Sequence, residues 1–333
     1  MSPTATTPRV VIVTGASSGI GRATVARLRE RGDHVVLAAR SAEGLRAAEL
    51  ETDGLAQARG GGLALVVPTD VSDREAVAEL FSAARKRFGR IDAVVHSAAV
   101  LAYGRFEDVP PEVFEQTLQV TLVGTANVAR ASLQEFARPG GGSLVVVGSL
   151  LGKIATPYMS SYVTAKWAVH GLVRCLQIEA RSTPGVEVSL VSPGGVDTPV
   201  YRQAGTYVGL HGRPPPPVVT PEHVAHTIVH CLDHPQRDAG VGPANPITVA
   251  GFRVLPGVFD LLVTPLMKLG GLGRESVPAT AGNVMSATPS GESTRGGFVG
   301  TRAAQTATMA LSVGGAALLA VRRLAPRLPG VGR

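Results

Sequence analysis

The sequence predicts an α/β protein built on a doubly wound parallel sheet, and three observations predict it. Apolar, β-branched runs alternate with helical stretches from residue 9 to about 195. These runs end in small or polar residues, as strands that open into a ligand crevice do. The first run ends at a glycine-rich turn that opens a helix. Composition agrees: 44% of the 333 residues are hydrophobic and 17% charged, which excludes a disordered chain. Aromatic residues are only 4%, so the core must come from Val, Leu, Ile and Ala.

In chain order, "RVVIVTG" (9–15) reads as a buried parallel strand, followed by a helix near 19–31. "HVVLAAR" (34–40), "LALVVPTD" (63–70), "IDAVVHS" (91–97), "GSLVVVGS" (142–149) and "VEVSLVSPGG" (186–195) continue the strand series. Helices are expected near 41–59, 73–88, 111–138 and 158–181. Residues 200–220 hold Tyr201, Tyr207, Val208 and Leu210, and Pro214–Pro217 stiffen them towards polyproline II. "PEHVAHTIVHCLDHP" brings His223, His226, His230 and His234 roughly onto one helix face after Thr220 and Pro221; a polar face without a metal is the reading preferred. Beyond, 247–271 is apolar at helical spacing, 271–301 is rich in Gly, Ser, Thr and Pro and reads as a linker, and 303–321 has nineteen residues without a charge. The chain therefore divides into a main domain, 1–245, and a C-terminal extension, 246–333.

The formal net charge is +7, yet no run of five basic residues occurs and aromatics are scarce. This excludes a nucleic-acid groove, which needs a basic stripe with stacking rings. Cys175 and Cys231 make no disulfide framework and fit a reducing compartment. "MSPTATTPR" offers no apolar core for a secretory signal, so a cytoplasmic protein is expected. The length of 303–321 permits a weak membrane span, but Arg322, Arg323 and Arg327 would then lie on the wrong side, so peripheral membrane contact or packing on the protein is preferred.

"TGASSGIG" (14–21) spaces Gly15, Gly19 and Gly21 so that a pyrophosphate can rest on a helix N-terminus. After the second strand stand Ala38, Ala39, Arg40 and Ser41; with no acid to take a ribose 2′-hydroxyl, a guanidinium there suits a 2′-phosphate. Asp70 could accept from an adenine amino group or simply cap a turn. In "SSYVTAK", Tyr162 and Lys166 lie one helical turn apart, so the ammonium should lower the phenol's pKa.

Together "TGASSGIG", "TDV" (69–71), Ser149 in "VVVGSLLG", "SYVTAK" (161–166) and "SPGGVDT" (192–198) resemble the short-chain dehydrogenase/reductase family over about residues 8–235. Ser149 lies thirteen residues before Tyr162, the family's usual separation. The resemblance implies a Rossmann-type three-layer α/β/α domain that binds NADP(H) and reduces a carbonyl or oxidises a secondary alcohol. It gives Tyr162 the role of general acid/base, Lys166 that of its tuner and ribose anchor, and Ser149 that of orienting the substrate. It places the cofactor on Gly15, Ser17, Ser18, Gly19, Ile20, Gly21, Arg40, Ser41, Asp70, Val71, Ser97, Ala98, Tyr162, Lys166, Pro193, Gly194, Val196 and Thr198. It also implies a homodimer or homotetramer, and the apolar lid suggests an apolar small-molecule substrate. Two departures stand out. "HSAA" (96–99) replaces the usual "NNAG", with His96 read as a structural substitute, and Thr121 replaces an asparagine that supports a proton-relay water. Thr121 thus joins the candidate catalytic set and also supports one alternative, a non-catalytic NADPH-binding scaffold; a membrane-associated lipid-modifying reductase, which differs in location more than in chemistry, is the other.

Overall fold

The computed structural model describes residues 8–57, 62–288 and 290–299; the apolar stretch 303–321 lies outside them. The elements run β1 (Val10–Thr14), α1 (Gly19–Glu30), β2 (His34–Ala39), α2 (Ala42–Gln57), β3 (Ala64–Pro68), α3 (Arg74–Phe88), β4 (Ala93–His96), β5 (Ala102–Tyr103), α4 (Pro111–Leu118), α5 (Gly124–Phe136) and β6 (Gly142–Val147). They continue with α6 (Ser160–Glu179), β7 (Val186–Pro193), β8 (Gly195–Val196), α7 (Val200–Gln203), β9 (Gly205–Thr206), β10 (Leu210–Gly212), β11 (Val218–Val219), α8 (Pro221–Asp233), β12 (Ala239–Val241), α9 (Asn245–Val254), α10 (Pro256–Leu266) and β13 (Leu272–Ser276).

Seven strands form one parallel sheet in the order β12-β7-β6-β4-β1-β2-β3. Alternate residues face opposite sides. Ile12, Val36, Val94 and Leu144 join one buried layer, and Val11, Val13, Val35, Leu37 and Val95 join the other. Burial on both faces explains why the strands read as continuous apolar runs. Fully burying each such side chain is worth about 1.5–3 kcal/mol. Helix ends follow local chemistry. Asp73 caps α3 by accepting from the amides of Glu75 and Ala76, and Gly89 ends it in the left-handed region at φ 78°. Thr220 caps α8 ahead of Pro221.

Four features depart from the sequence reading. The helix expected over 111–138 divides at a π-type turn, Gln119–Val123, which separates α4 from α5. There the Thr121 hydroxyl bonds the Val100 backbone, accepting from its N–H and donating to its carbonyl, each at 3.2 Å. The apolar stretch 247–271 breaks at Leu255, which precedes Pro256 and lies outside the α region at φ −127°, ψ 56°. The stretch 271–301 contains β13, antiparallel to β10, and further backbone contacts with the main domain. Finally β12, three residues long, extends the sheet beyond β7.

The seam between β1 and β4 is where the strand order reverses, and a polar chain crosses it. Thr14 Oγ lies 2.9 Å from His96 Nδ1, and His96 Nε2 lies 3.0 Å from Thr125 Oγ, which donates to the Thr121 carbonyl at 2.6 Å. Because Thr125 spends its proton on that carbonyl, it accepts from Nε2–H; Nδ1 then accepts from Thr14. His96 is therefore neutral, and burial, aided by the Lys166 charge, pushes its pKa down to about 3. Burial likewise takes His170, on α6, to about 4.

A histidine whose folded pKa is depressed binds fewer protons folded than unfolded, so stability is lost as pH falls from about 6.5 towards 3. Denaturant midpoints should fall across that window. His96→Gln, which keeps an amide in the seam but cannot take a charge, should flatten the fall. An unchanged slope in His96→Gln would show that another group governs acid unfolding.

Candidate active site

Ligands of such sheets bind at the carboxyl ends of the strands beside the switch point, here β1 and β4. The backbone after β1 turns at Gly15, whose φ of 68° favours glycine, and a Cβ there would lie 2.9 Å from the Ala98 amide nitrogen. At Gly21 a Cβ would collide with the Gly15 carbonyl oxygen, so α1 starts hard against the strand end. The bare backbone opens onto a cavity of about 890 Å³.

That cavity collects most of the residues singled out in the sequence. Gly15, Ser17, Ser18, Gly19, Ile20, Arg40, Ser41, Asp70, Val71, Ser97 and Ala98 line one part of it. Ser149, Tyr162, Lys166, Pro193, Gly194, Val196 and Thr198 line the rest. Gly21 shapes the turn from behind. The long cavity, its glycine floor and its cationic Arg40 fit a dinucleotide. Asp70 lines the wall, and its Oδ1 accepts from the Ser72 amide at 2.9 Å and the Ser72 hydroxyl at 2.6 Å, as a turn-capping residue does.

Thr121 is elsewhere. It is buried, its hydroxyl is engaged with Val100, and it does not line the cavity. Of the lid residues, Tyr201 reaches the cavity, whereas Val208 and Leu210 pack into a small apolar cluster with Tyr103, Met159 and Met267. The four histidines of α8 and its end gather no metal site: among the described residues no group of three potential ligands is found, and His230 and His234 stack at 4.5 Å.

At the catalytic end, the first turns of α6 present Tyr162 and, one turn on, Lys166. Lys166 Nζ donates to the Val147 carbonyl at 2.8 Å and lies 5.6 Å from the centre of the Tyr162 ring. Ser149 accepts at Oγ from the Leu151 amide at 3.1 Å, and its own amide donates to His170 Nε2 at 3.3 Å. The electrostatic balance corrects the expectation that Lys166 pulls the Tyr162 pKa down. Burial pushes the phenol up to about 12, with only the Ser149 hydroxyl opposing, and burial pushes the Lys166 ammonium down to about 8. Desolvation dominates at both groups.

Sequence reasoning missed three contributors. His170, two turns after Tyr162 on α6, backs Ser149; the spacing 162, 166, 170 was its signal. The extension walls the cavity through Leu255, Phe259, Leu262 and Leu266. Glu292 also lines it, and its only signal was being the sole acidic residue after Glu275.

Comparison with known proteins agrees with this geometry. The family described as short chain dehydrogenase matches residues 9–207. The chain is 35% identical to the uncharacterized oxidoreductase YxnA of Bacillus subtilis (strain 168), over 78% of this chain and 72% of that one. It is 32% identical to an uncharacterized oxidoreductase of Staphylococcus aureus (strain USA300), over 70% of this chain and 94% of that one. Among solved structures it resembles an alcohol dehydrogenase of the archaeon Thermococcus sibiricus complexed with 5-hydroxy-NADP, with TM-score 0.59 and 31% identity over 71% of this chain and 95% of that one. Levodione reductase shares the fold at TM-score 0.64 and 24% identity, over 72% and 98% of the two chains.

The position of Thr121 gives a separable test. Thr121→Val leaves the buried Val100 amide without its acceptor and should cost about 1–3 kcal/mol of stability. Turnover should stay within about twofold, because the hydroxyl faces Val100. A large loss of turnover at unchanged stability, measured by urea unfolding alongside initial rates, would return Thr121 to the proton path.

Proposed function

The chain belongs to the short-chain dehydrogenase/reductase family and is an oxidoreductase, and on that premise we propose that it transfers hydride between NADP(H) and an apolar carbonyl or secondary-alcohol substrate. The observation that carries this reading is the meeting of Ser149, Tyr162 and Lys166 in one cavity with the glycine turn of residues 15–20.

NADP(H), when bound, supplies or takes up the hydride. Tyr162, kept protonated by burial, delivers its proton to the substrate oxygen in reduction and takes it back in oxidation. Ser149 accepts from the Leu151 amide, and its own proton, directed at the Tyr162 oxygen here, can turn to the same substrate oxygen. Lys166 does little for the resting phenol. Its charge acts on the phenolate as that forms, an interaction stronger in the transition state than in the ground state, which is the kind that accelerates. Ser17, Arg40 and Ser41 would hold the 2′-phosphate, as supported by the absence of an acid at Ala38 and Ala39. The NADP analogue in the archaeal neighbour is in keeping with this.

An apolar substrate suits the walls formed by Leu101, Leu151, Ile154, Phe259 and Leu262. Self-association through α4, α5 and α6 into a dimer or tetramer is the assembly in keeping with the family. Two free thiols, Cys175 and Cys231, suit a cytoplasmic setting. Ile247 and Val254 are exposed on α9 and Val258 on α10, which supports peripheral contact with an apolar surface. No helix among the described residues is long and apolar enough to cross a membrane. The 1–245 catalytic domain is proposed to work together with the extension, since both line the cavity.

Screening ketones of graded apolar character with NADPH, by loss of cofactor absorbance, tests the reading directly. Tyr162→Phe should lower turnover by about 10²-fold or more while folding and cofactor affinity persist. Full activity in Tyr162→Phe would remove this mechanism. Arg40→Ala should weaken NADPH about ten- to a hundredfold relative to NADH, the worth of one charge-assisted contact. Equal loss for both cofactors in a binding titration would take the 2′-phosphate away from Arg40.

A further inference from the structure

The pocket formed by Ser17, Arg40 and Ser41 already holds an anion, and the chain itself provides it. Ser17 Oγ donates to Glu292 Oε1 at 2.8 Å, and Ser41 Oγ donates to Glu292 Oε2 at 2.7 Å. A Cβ at Gly44 would collide with the same carboxylate, so the first turn of α2 leaves room for it. The backbone on either side is anchored. The Glu292 carbonyl accepts from Arg22 at 3.4 Å, and the Ser293 carbonyl accepts from the Gly19 amide at 2.9 Å. Further on, Arg295 pairs with Glu222 at 2.9 Å, and the Phe298 and Val299 amides donate to the Asp197 carboxylate at 2.7 and 3.2 Å. Upstream, Arg40 donates to the carbonyls of Asn283 and Val284, at 2.5 and 3.3 Å. The described parts of 283–299 thus engage both hydroxyls and the guanidinium that an incoming 2′-phosphate would use.

We propose that Glu292 is a specificity-determining residue, a tethered anion seated in the 2′-phosphate subsite that a 2′-phosphate must displace and a 2′-hydroxyl need not. The inference rests on the reading of the Arg40 pocket as that subsite. Two hydroxyl donors cannot serve a carboxylate and a phosphate together, and the two anions repel at close range in a poorly solvated wall. A 2′-hydroxyl carries a proton and meets no such repulsion. Arg40 therefore supplies affinity for NADP(H), and Glu292 subtracts from it. The selectivity of the chain is the difference, smaller than that of the pocket without its strap.

Isothermal titration of the full chain with adenosine 2′,5′-bisphosphate and with 5′-AMP isolates the effect, because the two ligands differ only in the 2′-phosphate. Glu292→Gln keeps the size of the side chain and removes its charge. It should tighten the bisphosphate by about tenfold or more and leave 5′-AMP within about twofold. Glu292→Ala serves as the second variant, with the same expectation, should the glutamine variant melt well below the parent. Unchanged bisphosphate affinity overturns the inference. So does a loss of 5′-AMP affinity, which would make Glu292 an acceptor for the ribose hydroxyl. Arg40→Ala separates this result from the reading beneath it. If Arg40→Ala leaves the bisphosphate unaffected, the subsite itself is misplaced; if it weakens the bisphosphate while Glu292→Gln changes nothing, only the role of Glu292 falls.

Discussion

The hydrogen-bonded chain from Thr14 through His96 to Thr125 holds together the one place where the sheet must stay both closed and hollow. Helices leave β1 and β4 in opposite directions, so the space above their ends has no element to fill it. An apolar pair would pack the seam more cheaply. A polar chain instead fixes the relative height of the two strands and the pitch of α5, and it does so with every donor matched to an acceptor. Gly15 and Ala98 then meet at backbone distance across the seam, and the floor of the cavity follows.

Burial governs the chemistry above that floor. Tyr162 and Lys166 are neighbours, yet each is pushed towards its neutral form by the loss of water on burial. A resting phenol with its proton firmly held suits a site that waits for a substrate oxygen. The Val147 carbonyl fixes the Lys166 amine beside the ring, so the stabilising charge needs little reorganisation when the proton leaves.

Much of this was legible in the sequence, and the reasons are physical. Parallel strands are buried on both faces, so β1, β2, β4 and β6 stand out as nearly unbroken apolar runs. The glycine turn and the Ser149, Tyr162 and Lys166 spacing are local patterns tied to a strand end and a helix turn. What escaped depends on distance along the chain. Glu292 meets Ser41 across 251 residues, and nothing near either one announces the other. The π-type turn at Gln119–Val123 arises where Thr121 bonds Val100, a contact no helical periodicity encodes. Residues 272–276 have the composition of a linker and became a strand because the edge of β10 was there to pair with.

That strand pairing has a consequence for how the molecule breathes. β13 and β10 join with a shifted register, and beneath them Met267 and Leu272 share a small cluster with Tyr103 and Met159, against which Tyr162 also packs. This cluster is separate from the two large layers of the sheet, and two-stranded ribbons hold weakly by themselves. Its smaller set of buried contacts places it towards the low-stability end of the molecule. Amides of β10 and β13 should exchange with solvent together and well ahead of those of β1 and β4. Local opening of this cluster would loosen the packing against the Tyr162 ring and leave the sheet undisturbed.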